Sequence, residues 1–76
     1  MYLKKEREKH LRRTMENLAT IRPGDKVKLV DCLEATYHEN EVYTILEEAR
    51  KIGSTWCVKI NDYGWFDVGC IQKITG

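Results

Sequence analysis

The stretch from Ser54 to Ile74 constrains the fold most, because its pattern is that of three short strands joined by tight turns. Residues 55–61 alternate between apolar and polar side chains, a period of two that is typical of a half-buried strand. The apolar set is Trp56, Val58 and Ile60. The Asn-Asp-Tyr-Gly sequence at 61–64 then supplies turn chemistry, and β-forming residues continue on both sides of Gly69. Because three such strands are not stable alone, upstream segments must complete their sheet.

The upstream segments predict one helix and two more strands. Residues 3–20 lack Gly and Pro and contain several oppositely charged i,i+4 pairs, so we expect a helix that ends at a Pro-Gly turn. Residues 26–31 and 42–48 alternate like strands, and residues 32–41 form a long loop between them. A polar connector over 48–54 then leads to the C-terminal strands. The whole chain, 1–76, is expected to be one domain.

The apolar positions of these strands predict the core, together with a stripe on the helix. We expect the core to consist of Val27, Leu29, Leu46, Val58, Ile60, Phe66 and Ile71. The helical stripe is formed by Leu11, Met15 and Leu18, at spacings of four and three residues. We expect this stripe to pack on the sheet, while the charged first half of the helix projects. A stripe that the chain's own sheet does not use would instead bind a partner or a second copy of the chain.

Charge is distributed unevenly along the chain. Residues 1–20 hold six basic and three acidic side chains, a net charge of +3, whereas residues 21–76 hold seven basic and nine acidic ones, a net charge of −2. The six basic residues are Lys4, Lys5, Arg7, Lys9, Arg12 and Arg13. A basic helix on a mildly acidic body predicts either a solvated helical end or an arm that binds an acidic partner, nucleic acid included.

Cysteine and histidine positions predict neither a metal site nor a bound cofactor. Cys32, Cys57 and Cys70 form no Cys-x-x-Cys pair, and His10 and His38 lie at no metal-ligand spacing from them. We expect free thiols that act as small apolar side chains in a reducing compartment, with a redox contact between Cys57 and Cys70 on neighbouring strands as the alternative. The charged N-terminus has no apolar stretch of the signal-peptide kind, and no run of residues is apolar enough to span a membrane. A cytoplasmic protein is therefore expected.

The C-terminal motif resembles the end of SH3 domains. In Gly64-Trp65-Phe66-Asp67-Val68-Gly69-Cys70-Ile71, the positions that match the family are Gly64, Phe66 and Ile71. Trp56 falls near the tryptophan that opens the third strand of the family, and residues 32–41 occupy the place of its long first loop. The resemblance implies a mainly β chain, α+β by content. Its N-terminal helix would precede a small SH3-like antiparallel barrel of about five strands over residues 25–75.

The departures from that family bear on function. Asp67 and Cys70 stand where SH3 domains have the proline and tyrosine of their peptide groove, so the resemblance argues against binding of proline-rich peptides. The opening Pro23-Gly24-Asp25-Lys26-Val27 resembles the first strand of nucleic-acid-binding SH3-like barrels. Small barrels similar to this one are frequent among bacterial and phage accessory proteins, which implies an adaptor or an inhibitor.

The remaining side chains favour binding over catalysis. No nucleophile motif accompanies either histidine and no Gly-rich phosphate loop is present, so we expect no enzymatic activity. The residues predicted to bind a protein partner are Tyr37, Tyr63, Trp65 and Asp67. The three rings fall in loop, turn and strand positions, where exposed aromatic side chains make binding hot spots. The alternative is a nucleic-acid-binding accessory protein that uses the basic residues of the helix.

Overall fold

A computed structural model describes residues 4–75 and, within α1, the side chains from Arg7 onward. The elements are α1 (Lys4–Thr20), β1 (Lys26–Leu29), α2 (Leu33–Tyr37), β2 (Tyr43–Ile52), β3 (Thr55–Ile60), β4 (Gly64–Asp67), a 3₁₀ turn (Val68–Cys70) and β5 (Ile71–Lys73). The predicted helix is confirmed, although its first predicted residue, Leu3, lies outside the described residues. Helix and strand are present in roughly equal amounts, so the chain is α+β rather than mainly β. Neither helix of the described chain has the length and apolar character needed to cross a bilayer.

The five strands form one antiparallel sheet in the order β4-β3-β2-β1-β5. The hairpin between β3 and β4 confirms the predicted turn, in which Asp62 and Gly64 both have positive φ, at 71° and 76°. The 3₁₀ turn then carries the chain from β4 at one edge of the sheet to β5 at the other. Within residues 4–75 no ladder joins those two edges, so the described sheet is open and does not confirm the predicted barrel.

Strand β2 differs from its prediction. It is ten residues long and absorbs most of the segment that was predicted to be a polar connector over 48–54. Its pairing with β3 shifts register twice, between Ile45 and Glu47 and between Glu47 and Arg50. Each shift adds one residue to β2 and bends the strand. The β2–β3 hairpin closes at Gly53, whose φ is 63°, and Ser54.

The core lies on one face of this bent sheet. Its buried apolar side chains are Ile21, Val27, Leu29, Tyr43, Ile45, Val58, Ile60, Val68 and Ile71. The prediction of Leu46 as a core residue is wrong: Ile45 faces Ile60 in the core, and Leu46 next to it is 48% exposed. Phe66 is half-buried and packs against the core. Trp56, which belongs to the same apolar set as Val58 and Ile60 in the sequence, is exposed because it lies next to the tip of the β2–β3 hairpin.

Truncation of Val58 tests the core. We expect Val58→Ala to lower the free energy of unfolding by about 2 kcal/mol, since it removes two buried methyl groups and leaves a cavity. Leu46→Ala, on the other side of the same sheet region, is the matched control and is expected to change it by less than about 0.5 kcal/mol. Urea unfolding followed by circular dichroism measures both. Equal effects of the two substitutions would contradict this assignment of faces.

Candidate functional site

Helix α1 packs on the 3₁₀ turn and β5 through polar side chains. The prediction that the apolar stripe docks the helix is wrong, because Leu11 is 59% exposed and Met15 is 64% exposed, and only Leu18 packs against the core. The docking contacts come instead from His10, Arg13, Thr14 and Asn17. The exposed part of the stripe is therefore available for a contact with another molecule, as the self-association alternative requires.

The face of α1 that packs on the sheet is polar because it meets backbone carbonyl oxygens of the 3₁₀ turn and β5. Nδ2 of Asn17, which is buried, donates hydrogen bonds to the carbonyl oxygens of Val68 and Ile71, at 2.8 and 2.9 Å. Nη1 of Arg13 donates to the carbonyl of Gly69 at 3.2 Å. A buried carbonyl without a donor is costly, so these side chains stabilise a turn whose backbone would otherwise lack partners.

Gly69 sets the distance between the helix and the turn. It is buried, and a Cβ atom at this position would overlap the ring of His10 and lie 2.6 Å from Oγ1 of Thr14. A side chain here would force the His10 ring and the Thr14 hydroxyl, or the helix that carries them, to shift. Thr14 Oγ1 itself donates to the carbonyl of His10 at 2.9 Å. The absence of a side chain at Gly69 thus lets α1 approach the backbone of the turn.

A cleft of about 510 Å³ opens where the first half of α1 passes over the turn. Its lining combines basic, acidic and thiol side chains: Arg7, Lys9, His10, Arg13, Asp31, Asp67 and Cys70. Nε2 of His10 lies 3.0 Å from Oδ2 of Asp67, and Oδ1 of Asp67 accepts a hydrogen bond from the Gly69 amide at 2.8 Å. Arg13 forms a 2.7 Å ion pair with Asp31.

The basic residues predicted to bind nucleic acid do not form one uniform surface. Arg13 is committed to Asp31 and to the turn, whereas Arg7, Lys9 and Arg12 are exposed. Lys4 and Lys5 belong to α1, but their side chains lie outside the described residues. Arg7, Lys9 and Arg12 are therefore the described cations that the nucleic-acid alternative would use.

The thiols are not arranged as the redox alternative, a contact between Cys57 and Cys70, requires. Cys57 pairs with Asp67 across β3 and β4, whereas Cys70 follows β4 in the 3₁₀ turn, and its thiol is within hydrogen-bonding reach of Cys32. Burial, together with the negative charge of Asp67, raises the pKa of Cys70 to about 12. All three cysteines are free thiols, as predicted. The Cys70 thiol is thus protonated near pH 7.

The predicted long loop over 32–41 contains the short helix α2, which exposes two large side chains. Leu33 is 69% exposed and Tyr37 is 75% exposed, and they lie four residues apart on one helical face. Ala35 packs against the core and so anchors the helix to the sheet, near β1. The described contacts leave Leu33 and Tyr37 outside the core.

An aromatic cluster lies beside the C-terminal end of α2. The ring of Tyr63 meets His38 at 5.6 Å, Tyr43 at 5.6 Å and Phe66 at 5.4 Å between centroids, in edge-to-face geometry. Oε2 of Glu41 accepts a hydrogen bond from the Tyr43 hydroxyl at 2.8 Å and lies 2.6 Å from Nδ1 of His38. These two hydrogen bonds lower the pKa of the Glu41 carboxyl, which therefore stays ionised at the edge of the cluster.

Two carboxylates lie close to this aromatic cluster. The pKa of Tyr63 is raised, first by burial and then by the negative charges of Glu34 and Glu41 among others. Glu34 belongs to α2, and Glu41 lies four residues beyond the last residue of that helix. Negatively charged side chains thus lie next to the exposed face of α2 and the half-buried Tyr63.

Trp65 and Asp67 lie apart from Tyr37 and Tyr63. Trp65 pairs with Lys59 on the face of β4 opposite Phe66, and Cζ of Arg50 lies 5.0 Å from the centre of its ring. Asp67 belongs to the cleft beneath α1. The four residues predicted to bind a protein therefore occupy three places. Only Tyr37 and Tyr63 are linked, because Tyr63 contacts His38, the residue that follows Tyr37 in the chain.

No protein-family model matches the chain, and no curated protein and no solved structure matches it either. The function of the chain must therefore be inferred from its own residues. Leu33 and Asn17 were not among the residues singled out from the sequence. The i,i+4 spacing of Leu33 and Tyr37 is a signal that indicates their shared face, whereas no sequence pattern shows that Asn17 meets the turn.

Proposed function

We propose that this chain is a non-enzymatic protein-binding module, an adaptor or an inhibitor, that holds its partner on the α2 surface. That surface comprises Leu33, Glu34, Tyr37, His38 and Tyr63. The observation that carries the proposal is the exposure of Leu33 and Tyr37 on one face of a helix that is itself fixed to the core. Large apolar and aromatic side chains held on a rigid element are typical of binding hot spots.

The charges around the α2 surface favour a partner segment that is apolar and basic. Glu34 and Glu41 supply negative charge close to Tyr63, and Glu41 is held in its ionised form. Complementary lysine or arginine side chains on the partner would be attracted to this edge, while an aliphatic or aromatic residue would cover Leu33 and Tyr37.

The finer description of the fold that we propose is an SH3-like barrel. The strand order and the 3₁₀ turn before the last strand support it. On the same comparison, the positions of the groove proline and tyrosine of SH3 domains are Asp67 and Cys70, and α1 lies against both. Coverage of that region by the chain's own helix supports a binding site elsewhere on the molecule, at α2.

Peptide selection tests this proposal. A displayed library of random peptides is selected against the protein, and the affinity of enriched peptides is measured by fluorescence anisotropy. We expect peptides that combine aliphatic or aromatic residues with lysine or arginine. Tyr37→Ala is expected to weaken their binding at least about tenfold, which corresponds to about 1.4 kcal/mol, because it removes an exposed contact residue.

Two matched variants serve as controls for that measurement. Leu11→Ala removes a similarly exposed apolar side chain from α1, and Trp65→Ala removes a ring from the opposite face of β4; both are expected to change affinity less than about threefold. Peptides whose binding is insensitive to Tyr37→Ala would contradict the site. Retardation of random DNA that falls steeply with salt, and is lost on charge reversal at Arg7, Lys9 and Arg12, would favour nucleic acid instead.

A further inference from the structure

We propose that His10, Asp67 and Cys70 form a binding site for a divalent metal ion of the zinc class. One donor atom from each residue is involved: a ring nitrogen, a carboxylate oxygen and a thiol sulfur. These three atoms all lie within 4.8 Å of one another, at the cleft between α1 and the 3₁₀ turn. The proposal is independent of partner binding at the α2 surface.

The separations fit a tetrahedral ion after a small closure of the site. Zinc binds imidazole nitrogen and carboxylate oxygen at about 2.0–2.2 Å and thiolate sulfur at about 2.3 Å, so neighbouring ligand atoms stand about 3.3–3.6 Å apart. Nε2 of His10 and Oδ2 of Asp67 are already 3.0 Å apart. An ion placed among the three donors would replace this contact with two metal–ligand bonds of ordinary length.

The 3₁₀ turn and its close contact with α1 bring these three donors together. Asp67 caps the 3₁₀ turn and Cys70 ends it, and three residues of separation bring side chains to the same side of such a turn. The second oxygen of Asp67 is held by the Gly69 amide at 2.8 Å, a contact that orients a ligating carboxylate. Because Gly69 has no side chain, the ring of His10 reaches the turn from α1.

The chemistry of the three donors favours a zinc-class ion. The carboxylate of Asp67 and a thiolate at Cys70 would together balance a charge of +2, and a bound cation deprotonates a coordinating thiol outright. The charge of Arg13 is compensated by Asp31, at 2.7 Å. A set of one sulfur, one nitrogen and one oxygen suits Zn²⁺ or Co²⁺, whereas Mg²⁺ and Ca²⁺ prefer oxygen ligands only. Water from the cleft would complete a four-coordinate site.

Metal titration of the reduced full-length chain tests the site. Zn²⁺ binding is measured by calorimetry and Co²⁺ binding by absorption spectroscopy. We expect one ion per chain, thiolate-to-Co²⁺ charge-transfer absorption and the strong visible bands of tetrahedral Co²⁺. Because only the folded chain holds the three donors together, Zn²⁺ at about 100 times its Kd is expected to raise Tm by roughly 10 °C or more.

Single substitutions separate this site from other thiol sites on the chain. Cys70→Ser is expected to abolish the charge-transfer absorption, and His10→Ala and Asp67→Asn are each expected to weaken Zn²⁺ binding at least about tenfold. Cys57 lies opposite Asp67 on the neighbouring strand but outside the donor set, so Cys57→Ser should bind Zn²⁺ like the native chain. Circular dichroism of the metal-free variants confirms that each is folded.

Several results would overturn the proposal. The first is no Zn²⁺ binding at micromolar concentrations, in which case the contact between His10 and Asp67 is a hydrogen bond that only holds the helix. The second is charge-transfer absorption that survives Cys70→Ser, or Zn²⁺ affinity that is unchanged by His10→Ala. The third is a stoichiometry of one ion per two chains with a doubled molecular mass, which would place the ion between copies.

Discussion

A chain that begins at Ile21 is expected to lose the cooperative unfolding transition of the full-length protein. It lacks Asn17, the donor to the carbonyls of Val68 and Ile71, and it uncovers the turn against which α1 packs. Two lost hydrogen bonds and newly exposed apolar surface together cost a large share of the roughly 5 kcal/mol that holds a small domain folded. Thermal and urea unfolding, followed by circular dichroism and light scattering, should show a broad transition or aggregation.

A chain that begins at Lys9 is the matched control. It keeps all the described side chains through which α1 contacts the turn, from His10 onward, and removes only residues whose described side chains are exposed. We expect its free energy of unfolding to stay within about 1 kcal/mol of the full-length value. If the two shortened chains were equally stable, α1 would not contribute to the fold, and its contacts with another molecule would become its main role.

Replacement of Asn17 by alanine is expected to lower the free energy of unfolding by about 3 kcal/mol. The substitution deletes both hydrogen bonds to the turn and leaves the carbonyl oxygens of Val68 and Ile71 without their donor in a buried place, at a cost of about 1–3 kcal/mol for each unsatisfied group. Alanine is the better helix former, so the loss does not arise within α1 itself. Denaturant unfolding measures the change.

Met15→Ala is the control for Asn17→Ala on the same helix. Met15 is exposed, so its replacement should change stability by less than about 0.5 kcal/mol. Helical-stripe reasoning from the sequence predicts the opposite ranking, with Met15 as the costly position. A large effect at Met15 together with a small one at Asn17 would show that α1 docks through its apolar stripe after all.

Local sequence patterns were sufficient to predict much of the structure of the C-terminal half. The alternation around Val58 and Ile60 placed both residues in the core, and the turn chemistry at 61–64 placed the β3–β4 hairpin. Strand β2 was harder to predict because apolar residues occur on both of its faces. Two register shifts decide which of them are buried, and those shifts come from pairing with β3 rather than from any pattern within β2.

The candidate sites were predicted only in part. Tyr37 and Tyr63 lie near each other because the C-terminal end of α2 packs beside the β3–β4 hairpin, which chain order alone does not indicate. Trp65 was grouped with them as an aromatic residue, but strand alternation turns it away from Phe66. Leu33 belongs with Tyr37 by helical spacing, and the short helix that makes this spacing relevant was predicted to be loop.

By itself the sequence determined that the chain has one N-terminal helix and short antiparallel strands, because helix propensity, alternation and turn residues act over a few neighbours. Only the tertiary structure decided which face of α1 is used. A count of apolar residues points to Leu11 and Met15, but the surface that α1 meets is a turn with backbone carbonyls in need of donors. The same contact brings His10 to Asp67, 57 residues away in the chain, and no local pattern encodes so distant an approach.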